Sequence, residues 1–283
     1  MKLIYATDLH GSRESYNQLF DEAPGEGCGA ILVGADILPK RGFIVDSIIG
    51  QREYIRDWLR PRVEDFRAKH PDIPVFWMFG NDDWAANFDL AEEMDRAGLA
   101  TLIHDKAVEL EPGLWLAGYP YVPLTPFGIK DWDRYDTDGQ VPPVMFSHPV
   151  MSAPEGRIRV DLEKDIRPLG TIENDMIELA GRSDPAETIY MFHAPPAGTG
   201  LEITSRRERV GSRALRDFIM RHQPPVTLHG HIHESPAMSG AITERMGKTL
   251  AINQGASEIE LKAVVFDTEN PEETLARFGN GWE

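Results

Sequence analysis

The chain has 283 residues, 46 acidic against 29 basic, for a formal charge of −17. That balance argues against a nucleic-acid or anionic-membrane binder, because either polyanion would be repelled without a local basic patch. The densest basic stretch, Arg206-Arg207-Glu208-Arg209, is short and broken by an acid. A hydrophobic content of 41% with 25 Gly and 21 Pro is an ordinary folded composition, and no run approaches the ~18 apolar residues of a membrane span. The single cysteine, Cys28, precludes an internal disulfide and reads as a small buried apolar residue. With only five uncharged residues between Lys2 and Asp8, no secretory signal is read, and the expectation is a cytoplasmic protein.

In chain order, the first hundred residues alternate strand and helix. Lys2 to Thr7 is a β-type run; Ser12 to Glu22 reads as a helix, with Tyr16, Leu19 and Phe20 at i, i+3, i+4 spacing. Ala30 to Val33 is a second strand. Val45 to His70 reads as a long charged helix or helix pair broken near Pro61, on which Tyr54 and Trp58 pack together. Pro74 to Phe79 is a third strand and Ala86 to Ala97 a helix. This alternation implies a mostly parallel sheet covered by helices. From residue 99 the strands come closer together: Leu99 to Ile103, Ala107 to Leu110 and Leu114 to Tyr119. A Pro-, Asp- and Gly-rich loop over 120–143 precedes strands at Val144 to Ser147 and Thr188 to Phe192, with a helix, Ile172 to Arg182, between them. Val210 to His222 reads as a helix, and Val226 to Leu228, Ala241 to Arg245, Thr249 to Asn253 and Glu260 to Asp267 as strands. The expected architecture is an α/β sandwich of sheets with covering helices in one domain over residues 1–283, with a peripheral acidic tail over 270–283.

Polar residues cluster where these strands end. Asp8-Leu9-His10 closes the first strand, and i, i+2 side chains of an extended segment face one way. Asp36 follows the second strand and Gly80-Asn81-Asp82 the third. His193 ends the strand Thr188 to Phe192, and Gly230-His231-Ile232-His233 follows Val226 to Leu228. The carboxyl ends of parallel strands are where α/β folds place ligands. Imidazole nitrogens and hard oxygens suit Mn, Fe, Zn or Ni, with Mn favoured, and seven donor groups suit two ions better than one. His229 precedes the glycine of its block and reads as a residue orienting a neighbour; Trp77 and Trp84 read as core.

This ordered set resembles the calcineurin-like metallophosphoesterase superfamily, whose blocks run Asp-x-His, Gly-Asp, Gly-Asn-His-Asp/Glu, His and Gly-His-x-His. The resemblance spans residues 8 to 233 and implies a four-layer β-sandwich flanked by α-helices around a dinuclear metal centre. By block, Asp8, His10 and His233 would bind one metal, Asn81, His193 and His231 the other, and Asp36 would bridge them. Such a pair of ions, about 3.5–4 Å apart, clamps phosphoryl oxygens and lowers the pKa of bound water from ~16 toward ~7, making hydroxide available at neutral pH. The later Asn253-Gln254-Gly255 resembles the family's Asn-Pro-Gly turn, with Gln254 in place of proline, and reads as structural. His148 also ends an apolar run; His193 is preferred because one helix separates it from the His231 strand and Ala194-Pro195-Pro196 resembles the family's continuation.

Two blocks depart from the pattern. Ala35 stands where the family has glycine, a small change next to Asp36. Asp82 stands where the family has its catalytic histidine. A carboxylate there would repel a phosphate dianion, so Asp82 and Asn81 are the candidate catalytic residues of an enzyme shifted toward diesters, which carry a single charge. If the proton instead came from another residue, His104, His148, His222 and Asp83 qualify by residue type. The expected function is a phosphodiesterase acting on a small soluble phosphate ester, with residues 120–187 as a candidate cap setting substrate choice. The competing reading is a catalytically weak or inactive scaffold that kept the metal-binding fold. No nucleic-acid or membrane partner is expected, and a homo-oligomer is compatible with the sequence. Other metal hydrolases fit less well: His231-Ile232-His233 is not followed by the Asp-His of a metallo-β-lactamase-like site, and amidohydrolases place His-x-His after an early strand.

Overall fold

A computed structural model describes residues 1–40, 44–153, 156–257 and 259–282. The chain lays down one half-sandwich, then the other, and returns. Strands β1 (Lys2–Ala6), β2 (Ala30–Val33), β3 (Val75–Trp77) and β4 (Thr101–Leu102) run parallel side by side. The second sheet starts with the antiparallel pair β5 (Lys106–Glu111) and β6 (Leu114–Tyr119). Two small two-stranded ribbons interrupt it: β7 (Val122–Pro123) with β8 (Asp133–Arg134), and β9 (Val150–Ala153) with β10 (Gly156–Arg159). It is completed by β11 (Thr188–Phe192), β12 (Val226–Leu228), β13 (Thr243–Met246) and β14 (Thr249–Ile252), in the order β13-β14-β12-β11-β6-β5. Finally β15 (Ala263–Asp267) and β16 (Ala276–Phe278) add to the open edge of the first sheet, giving β16-β15-β1-β2-β3-β4.

Interior strands are apolar on both faces because both faces are covered. Leu3, Tyr5, Leu32, Phe76, Ile189, Met191, Leu228 and Ile252 pack between the sheets. The other face of the first sheet, with Ile4, Ile31, Val33, Val75 and Trp77, is covered by α1 (Arg13–Glu22), α2 (Ile44–Tyr54), α3 (Arg60–Lys69) and α4 (Phe88–Arg96). The outer face of the second, with Tyr190, Phe192 and Ala251, is covered by α5 (Ile172–Ala180) and α6 (Arg213–His222). Helix, sheet, sheet, helix is the four-layer order expected. Side-chain caps start three of these helices: Ser12, Thr171 and Ser212 accept the N–H three residues on.

Some local expectations needed correction. The helix over 44–69 is not broken at Pro61. Pro61 sits in the first turn of α3, and the irregularity is a π-helical turn, Ile55–Leu59, just before it. A proline ring crowds the carbonyl four residues back, and widening that turn relieves the clash without ending the helix. Val144 to Ser147 is not a strand: it has no ladder partner, and Val144 and Phe146 are exposed rather than packed. The loop over 120–143 carries the short β7–β8 pair. Residues 270–282 supply edge strand β16, and Trp282 Nε1 donates to the carbonyls of Ala263 and Phe278. Trp77, Trp84 and Cys28 are buried, and burial pushes the Cys28 thiol up to about 11.

The segment after β6 has its own small core of Leu124, Tyr135, Val160 and Ile166. Beneath it lies a wholly buried ion pair. Lys130 Nζ donates to Asp133 Oδ2 at 2.6 Å, to the Thr125 carbonyl and hydroxyl at 3.0 and 2.8 Å, and to the Ile129 carbonyl at 3.1 Å. A buried charge left without its partner costs about 3–5 kcal/mol. Lys130→Ala should therefore lower the urea midpoint by the equivalent of about 3 kcal/mol, and Lys130→Met combined with Asp133→Leu should recover most of it. An unchanged midpoint in Lys130→Ala would show that the pair does not hold this segment.

Candidate metal centre

The carboxyl ends of β1, β2, β3, β11 and β12 meet at one rim, and each is followed by a polar residue of the predicted set. The backbone there departs from ordinary geometry. Asp8, His10, Asp36 and His231 all have positive φ, at 54°, 43°, 55° and 62°. Left-handed backbone costs a non-glycine residue about 1–2 kcal/mol, so the surrounding contacts must enforce it. They do so by hydrogen bonding between loops: Asp8 N–H donates to the Ala35 carbonyl at 3.0 Å, and His10 N–H to the Asp36 carbonyl at 2.9 Å. Ala35 is compatible with its position because its methyl group is buried in the inter-sheet core.

Donor atoms of Asp8, His10 and Asp36 all lie within 4.8 Å of one another. The His233 ring lies edge-on to His10, centroids 5.9 Å apart. On the other side, His193 Nε2 is 3.4 Å from Asp36 Oδ2 and 2.9 Å from Asn81 Oδ1, with the His231 ring 5.1 Å from that of His193. All seven predicted donors are thus brought together, in two groups that share Asp36. The set fits divalent cations on its own chemistry: three oxygen donors and four imidazoles face one another, and the buried Nδ1 atoms of His10 and His193 have no hydrogen-bond partner. Two glycines make room for it. A Cβ on Gly80 would fall 2.4 Å from Asp36 Oδ1, and one on Gly230 2.3 Å from Asp8 Oδ2.

The protein groups strongly perturb one another. Burial opposes ionisation of Asp36, but the charges of His193 and His10 hold its carboxyl below the usual range. Burial alone would lower His193, yet Asp36 and Asp8 raise it to about 9. Burial lowers His10 to about 4 and His231 to about 3, favouring the neutral imidazole that a metal requires.

Asp82 lies at the edge of this group. Its backbone N–H donates to Asp36 Oδ1 at 2.8 Å, and its Oδ1 accepts from Asn81 Nδ2 at 3.3 Å. Burial and the nearby Asp36 charge push the Asp82 carboxyl up to about 7. Lys40, which the sequence reading passed over, reaches across from the loop after β2. Its Nζ is 3.7 Å from Asp82 Oδ2 and donates to His10 Nε2 at 3.1 Å. The available clue was a basic residue four positions after Asp36.

The alternative proton donors lie elsewhere. Asp83 is wholly buried and structural: it accepts the N–H groups of Ile37, Leu38 and Gly80 at 3.0, 2.8 and 2.9 Å, clamping the loops after β2 and β3 together. His104 is enclosed by Phe88 and Trp132, His222 packs on Phe218, and His148 is exposed outside the cleft. His229 is buried, held between the Ala194 carbonyl and the Thr227 hydroxyl, as an orienting residue would be. Asn253 caps its own turn through Gly255 N–H and donates to the carbonyls of Leu201 and Ile232, bracing the His231–His233 loop.

The rim opens into a cleft of about 1090 Å³ floored by His10, Asp36, Asn81, His231 and His233, with Lys40 and Asp82 beside them. Its walls come from 123–129, 143–147 and 204–210. Among the described residues, no helix is long and apolar enough to cross a membrane.

Comparison with known proteins identifies the fold and the family. Two solved structures share the fold at low identity. One crystal structure has 15% identity and a TM-score of 0.62, covering 98% of each chain. The TT1561 protein of Thermus thermophilus has 15% identity and a TM-score of 0.60, covering 98% of this chain and 97% of its own. A putative 5′-nucleotidase from Staphylococcus aureus, solved with alpha-ketoglutarate, has 13% identity and a TM-score of 0.47, covering 98% of this chain and 52% of its own. No curated protein sequence matches the chain. The family model for calcineurin-like phosphoesterases matches residues 1–235, from the first strand to just beyond the His231–His233 block, and the chain belongs to that family.

Proposed function

We propose that this protein is a metal-dependent phosphodiesterase acting on small phosphate esters at a dinuclear centre. Asp8, His10, Asp36 and His233 would hold one cation, and Asp36, Asn81, His193 and His231 the other. The observation that carries this reading is the position of Asp36, whose carboxylate stands between the two donor groups within reach of both. Bound divalent ions supply Lewis acidity toward the phosphoryl oxygens and acidify water near pH 7.

The chain's own residues account for the preference among esters. Asp82 occupies the family's histidine position and would repel a phosphate dianion. Lys40, its Nζ 3.7 Å from Asp82 Oδ2, offsets only part of that charge, so the floor stays less favourable to a dianion than a histidine there would leave it. A diester monoanion tolerates that arrangement better than a monoester dianion. Asn81 is oriented by its neighbours, with Oδ1 toward His193 and the amide NH₂ toward Asp82. Residues 120–187 form the candidate cap, and segments 123–129 and 143–147 within it wall the cleft.

Chelation should abolish hydrolysis of bis(p-nitrophenyl) phosphate, Mn²⁺ should restore it, and Asp36→Asn should lower kcat/KM by about 100-fold or more. No turnover with Mn²⁺, Zn²⁺, Ni²⁺ or Fe²⁺ demonstrably bound would identify a non-catalytic scaffold instead. Gly230→Ala should weaken Mn²⁺ binding by about 10-fold in calorimetric titration, through displacement of the Asp8 carboxylate, with the circular dichroism spectrum unchanged. Asp82→His should raise the monoester-to-diester rate ratio by about 10-fold, and Lys40→Ala should lower kcat/KM for both substrates. An unchanged ratio in Asp82→His would refute the role given to Asp82.

A further inference from the structure

The cleft has two chemically different ends. Opposite the polar floor, its mouth is lined by Phe127, Phe146, Val144 and Val210, which leave 53%, 62%, 87% and 37% of their surfaces exposed. Exposed large apolar side chains gathered in a cleft, rather than scattered singly, mark a ligand surface. The two rings meet edge-to-face, centroids 6.1 Å apart at 73°, an arrangement that leaves ring faces open to a third aromatic group. Arg206 places its guanidinium carbon 5.6 Å from the centre of the Phe146 ring. Among the described residues no carboxylate pairs with that guanidinium, although the chain has 46 acids to offer.

Three separate segments supply this cluster, before β8, before β9 and before α6, so no single stretch of sequence displays it. A planar cation over an aromatic ring favours a planar, electron-rich ligand, and the unpaired positive charge favours an anionic one. A cleft of about 1090 Å³ is far larger than a bare phosphate needs.

We propose that Phe127, Phe146 and Arg206 form a stacking subsite for the heteroaromatic ring of a nucleotide-type phosphate ester whose phosphate sits on the Lys40 and His10 side of the same cleft. This rests on the phosphoesterase reading and names its substrate class. Stacking on an aromatic side chain is worth about ten-fold or more in affinity per ring. The subsite is therefore a determinant of KM rather than of the chemical step.

The test is equilibrium binding to the Mn²⁺-loaded protein of two phosphinates that carry the single charge of a diester and cannot be hydrolysed: the analogue of adenosine 5′-(methyl phosphate) with both ester oxygens replaced by carbon, and the same analogue of ribose 5-(methyl phosphate). The adenosine compound should bind about ten-fold or more tightly. In Phe146→Ala the difference should shrink to about two-fold, and Phe146→Trp should restore it. Phe146 is exposed, so these variants should fold as the parent does. A ratio near one in the parent, or a ratio that survives both Phe127→Ala and Phe146→Ala, overturns the subsite. If inorganic phosphate binds while that ratio is near one, only the subsite is lost. If the metal-loaded protein does not bind phosphate at all, the phosphoesterase reading falls with it.

Discussion

The Asp8 carboxylate joins the two halves of this molecule. It belongs to the first sheet, and it accepts the His231 N–H of the second at 3.2 and 3.1 Å through its two oxygens. The contact requires Gly230, since any side chain there would collide with the same carboxylate. Tyr5 strengthens the junction by donating its hydroxyl to the His229 carbonyl, and within the second sheet Gly230 N–H donates to the His193 carbonyl. Elsewhere the sheets are separated by a layer of apolar side chains. At this rim side chains of the first sheet reach the backbone of the second directly, and the donors that follow β1, β2, β3, β11 and β12 come together beside that junction.

The positive φ angles at Asp8, His10, Asp36 and His231 are the conformational cost of that convergence. In an extended backbone successive side chains stand perpendicular to the sheet on alternate faces. The left-handed turn redirects them across the sheet edge. Asp83 offsets part of the cost by taking three backbone N–H groups from the loops after β2 and β3. The segment after β6 is anchored to the same region. Trp132 Nε1 donates to the Asp83 carbonyl at 2.6 Å, and Asp131 accepts Ala85 N–H and both donors of Ser152. The segment that walls the cleft is therefore hydrogen-bonded directly to the loop that carries Asn81.

Charge is distributed to match. An excess of carboxylates makes the chain acidic as a whole, yet Asp8 and Asp36 are placed where cations would neutralise them. Lys40 and Arg206 put positive charge at the floor and the mouth of the cleft. Net charge governs long-range encounter with polyanions, whereas the potential inside a narrow cleft is governed by the few charges lining it. An acidic protein can in this way receive an anionic ester.

Much of this was legible in the amino-acid order. Strand periodicity located β1, β2, β3, β6, β11 and β12 closely, because strands buried on both faces read as short apolar runs. The ordered blocks at their ends picked out seven side chains that the fold brings together, because a parallel sheet delivers such residues to one edge whatever the loops between them do. Local signals failed where long-range packing decided the outcome. Val144 to Ser147 is an apolar run like a strand, but it pairs with no ladder among the described residues, and Val144 and Phe146 line the cleft instead. Pro61 reads as a helix break, but a π turn absorbs it. Lys40, Arg206 and the Phe127–Phe146 pair carry no motif, since their meaning lies in proximity across stretches of tens of residues. The sequence thus contained the residues of the candidate metal centre, whose grouping depends on residue type and strand end. The shape and charge of the surrounding cleft were decided only when tertiary packing brought unrelated loops within a few ångströms of one another.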